Sequence, residues 1–231
     1  MSVLETAIGW LAPPDCLSCG SEGSVLCFSC STSEIKLFGE RCWRCNSLSP
    51  GSRTCVRCRQ LGPLSFVWIS TDYEGLPQDL VRKYKFGHLR AAADPIAMIM
   101  SQTFTDITRS NQIFTRDYLI VPLPTATSRV RQRGFGHSEL LAKTIAANLK
   151  LEYASAVRRL GQSRQLGARR EDRLVQLADS FAVKTPKWVA GRKILLIDDV
   201  LTTGGSLISA AKVLKTAGAQ QVNALVFAKR L

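Results

Sequence analysis

The stretch Ile194-Leu195-Leu196-Ile197-Asp198-Asp199-Val200-Leu201-Thr202-Thr203-Gly204-Gly205-Ser206-Leu207 decides the fold. Its first four residues form a continuous apolar run, as expected of a central strand buried on both faces of a parallel sheet. An acidic pair stands where that strand emerges. A Thr-Thr-Gly-Gly-Ser loop then leads into a helical pattern over 206–217, closed by Gly218 as a C-cap. Ligands of open α/β sheets bind beyond the carboxyl ends of the strands. There the loop offers consecutive backbone N–H groups, hydroxyls and a helix N-terminus, a set suited to one phosphate dianion. The glycines let the backbone approach closely. No lysine follows Gly205, so the loop is not a Walker A sequence. Asp198 and Asp199 would repel a phosphate. They are placed to accept hydrogen bonds from sugar hydroxyls, or to hold a magnesium-complexed sugar through water. A bare Asp-Asp is consistent with an ordinary βα turn; the whole string is not.

Outward from this stretch, strand and helix patterns alternate. Phe66–Ile69, Tyr118–Val121 and Val222–Phe227 read as strands. Helices are expected from Leu80 to Phe86 after Pro77, from Ala91 to Phe104, and from Ser138 to Leu149, where Leu140, Leu141, Ile145, Ala146 and Leu149 supply the apolar positions. Strand, helix and strand in this order predict an α/β domain with a largely parallel sheet and flanking helices.

The first 62 residues have a different composition. All eight cysteines lie here, in four identical pairs: Cys16/Cys19, Cys27/Cys30, Cys42/Cys45 and Cys55/Cys58. A Cys-x-x-Cys knuckle points two thiolates at one ion, and two knuckles complete a closed tetrahedral zinc site. Four knuckles therefore imply two zinc ions. Successive pairing, with Cys16/Cys19/Cys27/Cys30 and Cys42/Cys45/Cys55/Cys58 as the two sets, is favoured over a cross-braced arrangement. Disulfides are disfavoured because the N-terminus lacks the basic start of a secretory signal, which also makes the chain an expected cytoplasmic protein. A boundary is placed at Leu61-Gly62-Pro63-Leu64, dividing a double zinc-ribbon module (1–62) from the α/β domain (63–231). Leu4, Ile8 and Leu11 predict a short amphipathic helix before the first knuckle. No apolar run approaches the ~18 residues that span a bilayer.

The chain carries a net charge of +13. Of the 31 basic residues only six lie in 1–62, so the excess belongs to the second part. Such a surface attracts polyanions. Arg131 and Arg133 lie in one dense basic segment. Residues 158–173 form another, with six arginines among glycines, Ser and Gln. Arg41, Arg44, Arg53, Arg57 and Arg59 interleave with Trp43 among the last two knuckles, either as a nucleic-acid face or as a solvated rim. The only histidines are His88 and His137, for which solvated or structural roles are favoured over catalysis.

The Ile194–Leu207 string resembles the phosphoribosyl-pyrophosphate (PRPP) loop of type I phosphoribosyltransferases. With the cysteine pairs, Tyr84-Lys85-Phe86, Val121-Pro122-Leu123-Pro124 and Arg131-Gln132-Arg133-Gly134-Phe135, nearly the whole chain resembles the ComF family. That family joins a zinc segment to a phosphoribosyltransferase-like domain and is linked to DNA uptake in competent bacteria. Gly136-His137 and Gln176 depart from its usual pattern. The resemblance implies that Thr202, Thr203, Gly204, Gly205 and Ser206 cradle the 5-phosphate. Asp198 and Asp199 would hold the ribose and serve the chemistry. Leu123 and Pro124 would form the pyrophosphate loop, with Arg131 and Arg133 reaching the pyrophosphate, and magnesium would accompany PRPP. Residues 158–173 would form a hood that excludes water. Three functions follow: a PRPP-dependent transferase, a non-catalytic module binding PRPP or single-stranded DNA, or an adaptor for competence-machinery proteins.

Overall fold

The computed structural model describes residues 13–87, 89–160 and 181–230. The expected helix at Leu4–Leu11, His88, and most of the expected hood, with Gln176, lie outside the described residues.

Two short helices, α1 (Phe28–Ser33) and α2 (Val56–Arg59), belong to the cysteine-rich segment. Then follow β1 (Leu64–Asp72), α3 (Gly75–Phe86), α4 (Ala93–Ser110), β2 (Tyr118–Pro122), α5 (Thr127–Arg133), α6 (His137–Leu149), β3 (Glu152–Tyr153) and β4 (Val157–Arg159). The chain ends with β5 (Phe181–Val183), β6 (Lys193–Leu201), α7 (Gly205–Thr216) and β7 (Gln221–Lys229). Five strands form one parallel sheet in the order β1-β7-β6-β2-β3. Among the described residues no helix is long and apolar enough to cross a membrane.

Alternation along the strands explains the apolar runs. Leu195, Ile197, Leu225 and Phe227 join one cluster with Leu80 and Tyr84 of α3, Ile96 and Met100 of α4, and Leu141 and Ile145 of α6. Ile194, Leu196, Ala224 and Val226 join the other, with Ala210, Ala211 and Leu214 of α7. Both faces are covered, so the expected α/β architecture is the observed one.

The differences lie at element ends. Helix α3 starts at Gly75, two residues before Pro77. Proline fits a first helical turn because the N–H it lacks has no intrahelical partner there. Helix α4 runs six residues past Phe104, to Ser110. In this polar end the Thr105 and Thr108 hydroxyls donate to the carbonyls of Ser101 and Phe104, one turn back along the helix. Arg158 and Arg159 belong to β4, which pairs antiparallel with β5, rather than to a loop.

The cysteine-rich segment wraps the open edge of β1. Phe38 N–H bonds Ser70 O at 3.0 Å, and Thr54 N–H bonds Ser65 O at 2.8 Å. Antiparallel bridges join Leu37 to Thr71 and Arg53 to Phe66. Cys16, Val25, Leu26, Cys30 and Ile35 enter the cluster on one face of the sheet. Phe38 and Trp43 enter the other.

Candidate functional site

The four knuckles form two copies of one unit. Cys16 N–H bonds Ser21 O and Cys42 N–H bonds Ser47 O, each at 2.8 Å. The knuckle turns close with Gly20 N–H on Cys16 O and Asn46 N–H on Cys42 O. Gly20 and Asn46 both take the left-handed conformation, with φ of 72° and 62°. Antiparallel bridges Asp15–Glu22 and Arg41–Leu48 complete the match. In each copy a short helix carries the last cysteine.

The thiols gather as Cys16/Cys19/Cys27/Cys30 and Cys42/Cys45/Cys55/Cys58, with the ligand atoms of each set within 4.8 Å of one another. This is the successive pairing. Cys19 Sγ lies 3.8 Å from Cys27 Sγ, and Cys45 Sγ lies 3.7 Å from Cys55 Sγ. Backbone N–H groups already point at sulfur: Cys27 N–H reaches Cys16 Sγ at 3.4 Å. That donor holds the Cys16 thiol down at about 6. The Ser47 hydroxyl beside Cys45 does the same there, also to about 6. Cys19 and Cys42 are also held below the usual thiol range, whereas Cys30 and Cys58 are raised to about 12 among their neighbouring thiols. Four clustered thiols supplied with N–H donors fit a structural zinc ion, and each set could hold one.

The second site lies at the carboxyl end of the sheet. A cleft of ≈ 560 Å³ is lined by the tips of β2 and β6, the first turn of α6, the end of α3, and Thr202 and Ser206 of the loop. Leu123, Pro124 and Thr125 form one wall. Leu123 N–H bonds Ile197 O at 2.9 Å, which ties that turn to the acidic strand. The loop encloses its own hollow of ≈ 60 Å³, lined by Thr202 through Ser206.

Both aspartates are held by neighbours the sequence did not reveal. Lys85 Nζ, from α3, sits 2.8 Å from Asp199 Oδ1. Ser138, at the start of α6, donates from Oγ to Asp198 Oδ1 at 3.0 Å, and Asp199 N–H donates to the same oxygen at 3.0 Å. Burial pushes the Asp198 carboxyl up to about 7, and the Asp199 charge adds to it, while Lys85 and the two donors oppose the rise. Cations ring the acidic pair: Lys85, Arg129, Arg159 and Arg230 all line the cleft. Burial, and then the Arg129 charge, hold Arg159 below its usual range. Two close guanidiniums invite a polyanion.

Helix phase decides which side chains of α5 line the cleft. Arg129 and Gln132 line the cleft, one turn apart on α5, and Arg131 does not. Residues three apart share a helix face, whereas Arg131 lies around the helix from them. The side chain of Arg133 lies outside the described residues. His137 is buried, with its ring 4.9 Å from Tyr84 and 4.7 Å from Phe135, and it lines the cleft beside Ser138. Trp43 is only 4% exposed, so it is no part of a nucleic-acid face on the zinc rim.

The family described as "Phosphoribosyl transferase domain" matches residues 131–231, which include β6, the loop and α7. Three relatives extend the likeness over most of the chain. "Competence protein F" of Haemophilus influenzae is 23% identical over 194 residues, covering 82% of this chain and 79% of that protein. "Competence protein ComFC" of Streptococcus pneumoniae is 26% identical over 208 residues, covering 87% and 86%. "DNA utilization protein YhgH" of Salmonella typhimurium is 31% identical over 176 residues, covering 74% and 75%. The chain belongs to the ComF family. The expected features of a ComF protein, two cysteine tetrads and a phosphoribosyltransferase-type sheet, are both present in its fold.

Proposed function

We propose that this ComF chain binds PRPP with magnesium in the cleft and works in the handling of DNA taken up by the cell. One observation carries the reading: the acidic pair, the Thr202–Ser206 loop and the cations converge at the carboxyl end of the parallel strands. PRPP presents a terminal phosphate, a ribose diol and a pyrophosphate. The loop offers N–H groups and hydroxyls to the first. Asp198 and Asp199 accept from the diol through their carboxylate oxygens. Leu123–Thr125, Arg129 and Arg159 face the third, where charge builds as the leaving group departs. Magnesium, when bound with PRPP, neutralises pyrophosphate charge. Residues 1–62 serve as the zinc-held module beside this domain.

A titration with PRPP and magnesium tests the reading. Binding that is lost in the Asp198→Asn, Asp199→Asn double variant, with the fold intact, supports it. A double variant that binds as well as the wild type removes it. Release of pyrophosphate with an acceptor present then separates a transferase from a binding module.

A second reading concerns DNA, and a groove beside β3 favours it. There Tyr153 and the half-exposed Trp188 stand with Lys184, Lys187 and the Arg192–Glu152 ion pair around ≈ 510 Å³. Aromatic faces among cations suit single-stranded nucleic acid. The names of the relatives, which speak of competence and DNA utilization, point the same way. Anisotropy of a labelled oligonucleotide should fall steeply with salt and weaken in Trp188→Ala. Binding absent even at low salt would sink this reading.

A further inference from the structure

We infer that Trp43 is a positioning residue for the Thr202–Ser206 loop and that the second cysteine tetrad sets its place. Trp43 lies between Cys42 and Cys45, inside the knuckle itself. Its Nε1–H donates to Thr54 Oγ1 at 3.1 Å, and that hydroxyl donates to Leu64 O at 2.7 Å. Thr54 immediately precedes Cys55. The indole is thus fixed from both halves of one tetrad. Its far edge lies flush against Gly204: a Cβ added there would stand 2.4 Å from Trp43 Cζ3 and 2.9 Å from Cη2. Gly204 also takes a φ of +76°, so glycine is required twice over.

This changes the meaning of the glycine. Its bare side faces a tryptophan, not a ligand. Thr202 and Thr203 are exposed above it, while Gly204 and Trp43 are buried beneath. The indole is the floor under the loop, and the knuckle holds the floor. The corresponding position of the first unit is Leu17, which packs against the apolar cluster on the opposite face of the sheet. Only the second tetrad therefore reaches the loop.

The experiment reads the loop in the ligand-free protein, so it does not depend on PRPP. Ile208 N–H donates to Gly204 O at 2.9 Å and reports on loop order through hydrogen exchange. Trp43→Ala, at two zinc ions per chain, should speed exchange at this amide by about tenfold, and Cys45→Ser should do the same. Trp43→Phe, which keeps an aromatic floor, and Cys19→Ser, which disturbs only the first tetrad, should stay near wild type. Unchanged exchange in Trp43→Ala with both zinc ions retained overturns the inference. So does equal loosening by Cys19→Ser and Cys45→Ser. Should Trp43→Ala fail to fold, the comparison of the two cysteine variants decides alone. Affinity for PRPP with magnesium is measured on the same proteins, and this arm rests on the function proposed above. A loosened loop with unchanged PRPP affinity would remove the phosphate-cradle assignment and leave the role of Trp43 standing.

Discussion

Lys85 and Asp199 form an ion pair across 2.8 Å, joining the end of α3 to the tip of β6, with side chains 21% and 8% exposed. Breaking a buried pair from one side leaves an uncompensated charge, at a cost of roughly 3–5 kcal/mol when burial is complete. Lys85 keeps some contact with water, so Lys85→Ala should destabilise by roughly 2–3 kcal/mol. Adding Asp199→Asn should recover most of that loss, because the stranded charge is gone. Urea unfolding of the two variants checks this. A double variant no better than the single would show that Lys85 acts through packing alone.

Asp198 gives a pH signature. Its carboxyl is raised to about 7 in the folded protein, against an ordinary value of 3.8. The folded state therefore binds the proton more tightly than the unfolded chain between those values. By linkage, stability falls as pH rises through that window and levels off above it. Asp198→Asn removes the penalty. It should be more stable than wild type at pH 8, by roughly 1.4 kcal/mol per unit of the shift, and should match it near pH 4. Thermal midpoints at the two pH values test the sign.

The same titration governs the cleft. An ionised Asp198 accepts from ribose hydroxyls, and a protonated one meets them less well. Affinity for PRPP with magnesium should weaken by about tenfold per unit as pH drops below 7, and should be flat above it. Isothermal titration between pH 5.5 and 8.5 reads the slope. A flat profile would place the ribose elsewhere.

Metal content follows from the two thiol sets. Protein purified without chelator should carry two zinc ions per chain. Cys45→Ser should carry one, and its thermal midpoint should fall, since the binding free energy of a structural zinc is largely folding free energy. Zero zinc with oxidised thiols would remove the tetrad assignment.

The strand, acidic pair, loop and helix of residues 194–217 were readable because local pattern alone specifies them. The cysteine sets were readable for the same reason, and the structure chose between their pairings. What stayed hidden depends on distance in the chain. Lys85 and Ser138 reach the aspartates because α3 and α6 pack on the same face of the sheet, and no periodicity carries that fact. Arg129 lines the cleft because helix phase, not charge density, decides which side chain of α5 faces it. Trp43 looked like an aromatic in a basic stretch. Its burial against Gly204 arises from a contact between residues 161 apart in the chain, a relation that only the fold supplies.

The wrapping of β1 has a cost that appears when the thiols are lost. β1 is the outer strand of the sheet, and its free side is occupied by Phe38 and Thr54, which its own chain delivers from around the metal sets. An uncovered edge strand is a template for another molecule's strand. Oxidation or chelation that unravels the cysteine-rich segment would uncover one edge of a nine-residue strand and leave its outward hydrogen bonds unmade. The cysteine-rich segment thus covers this edge against pairing with another copy of the chain, and its loss through oxidation should promote self-association.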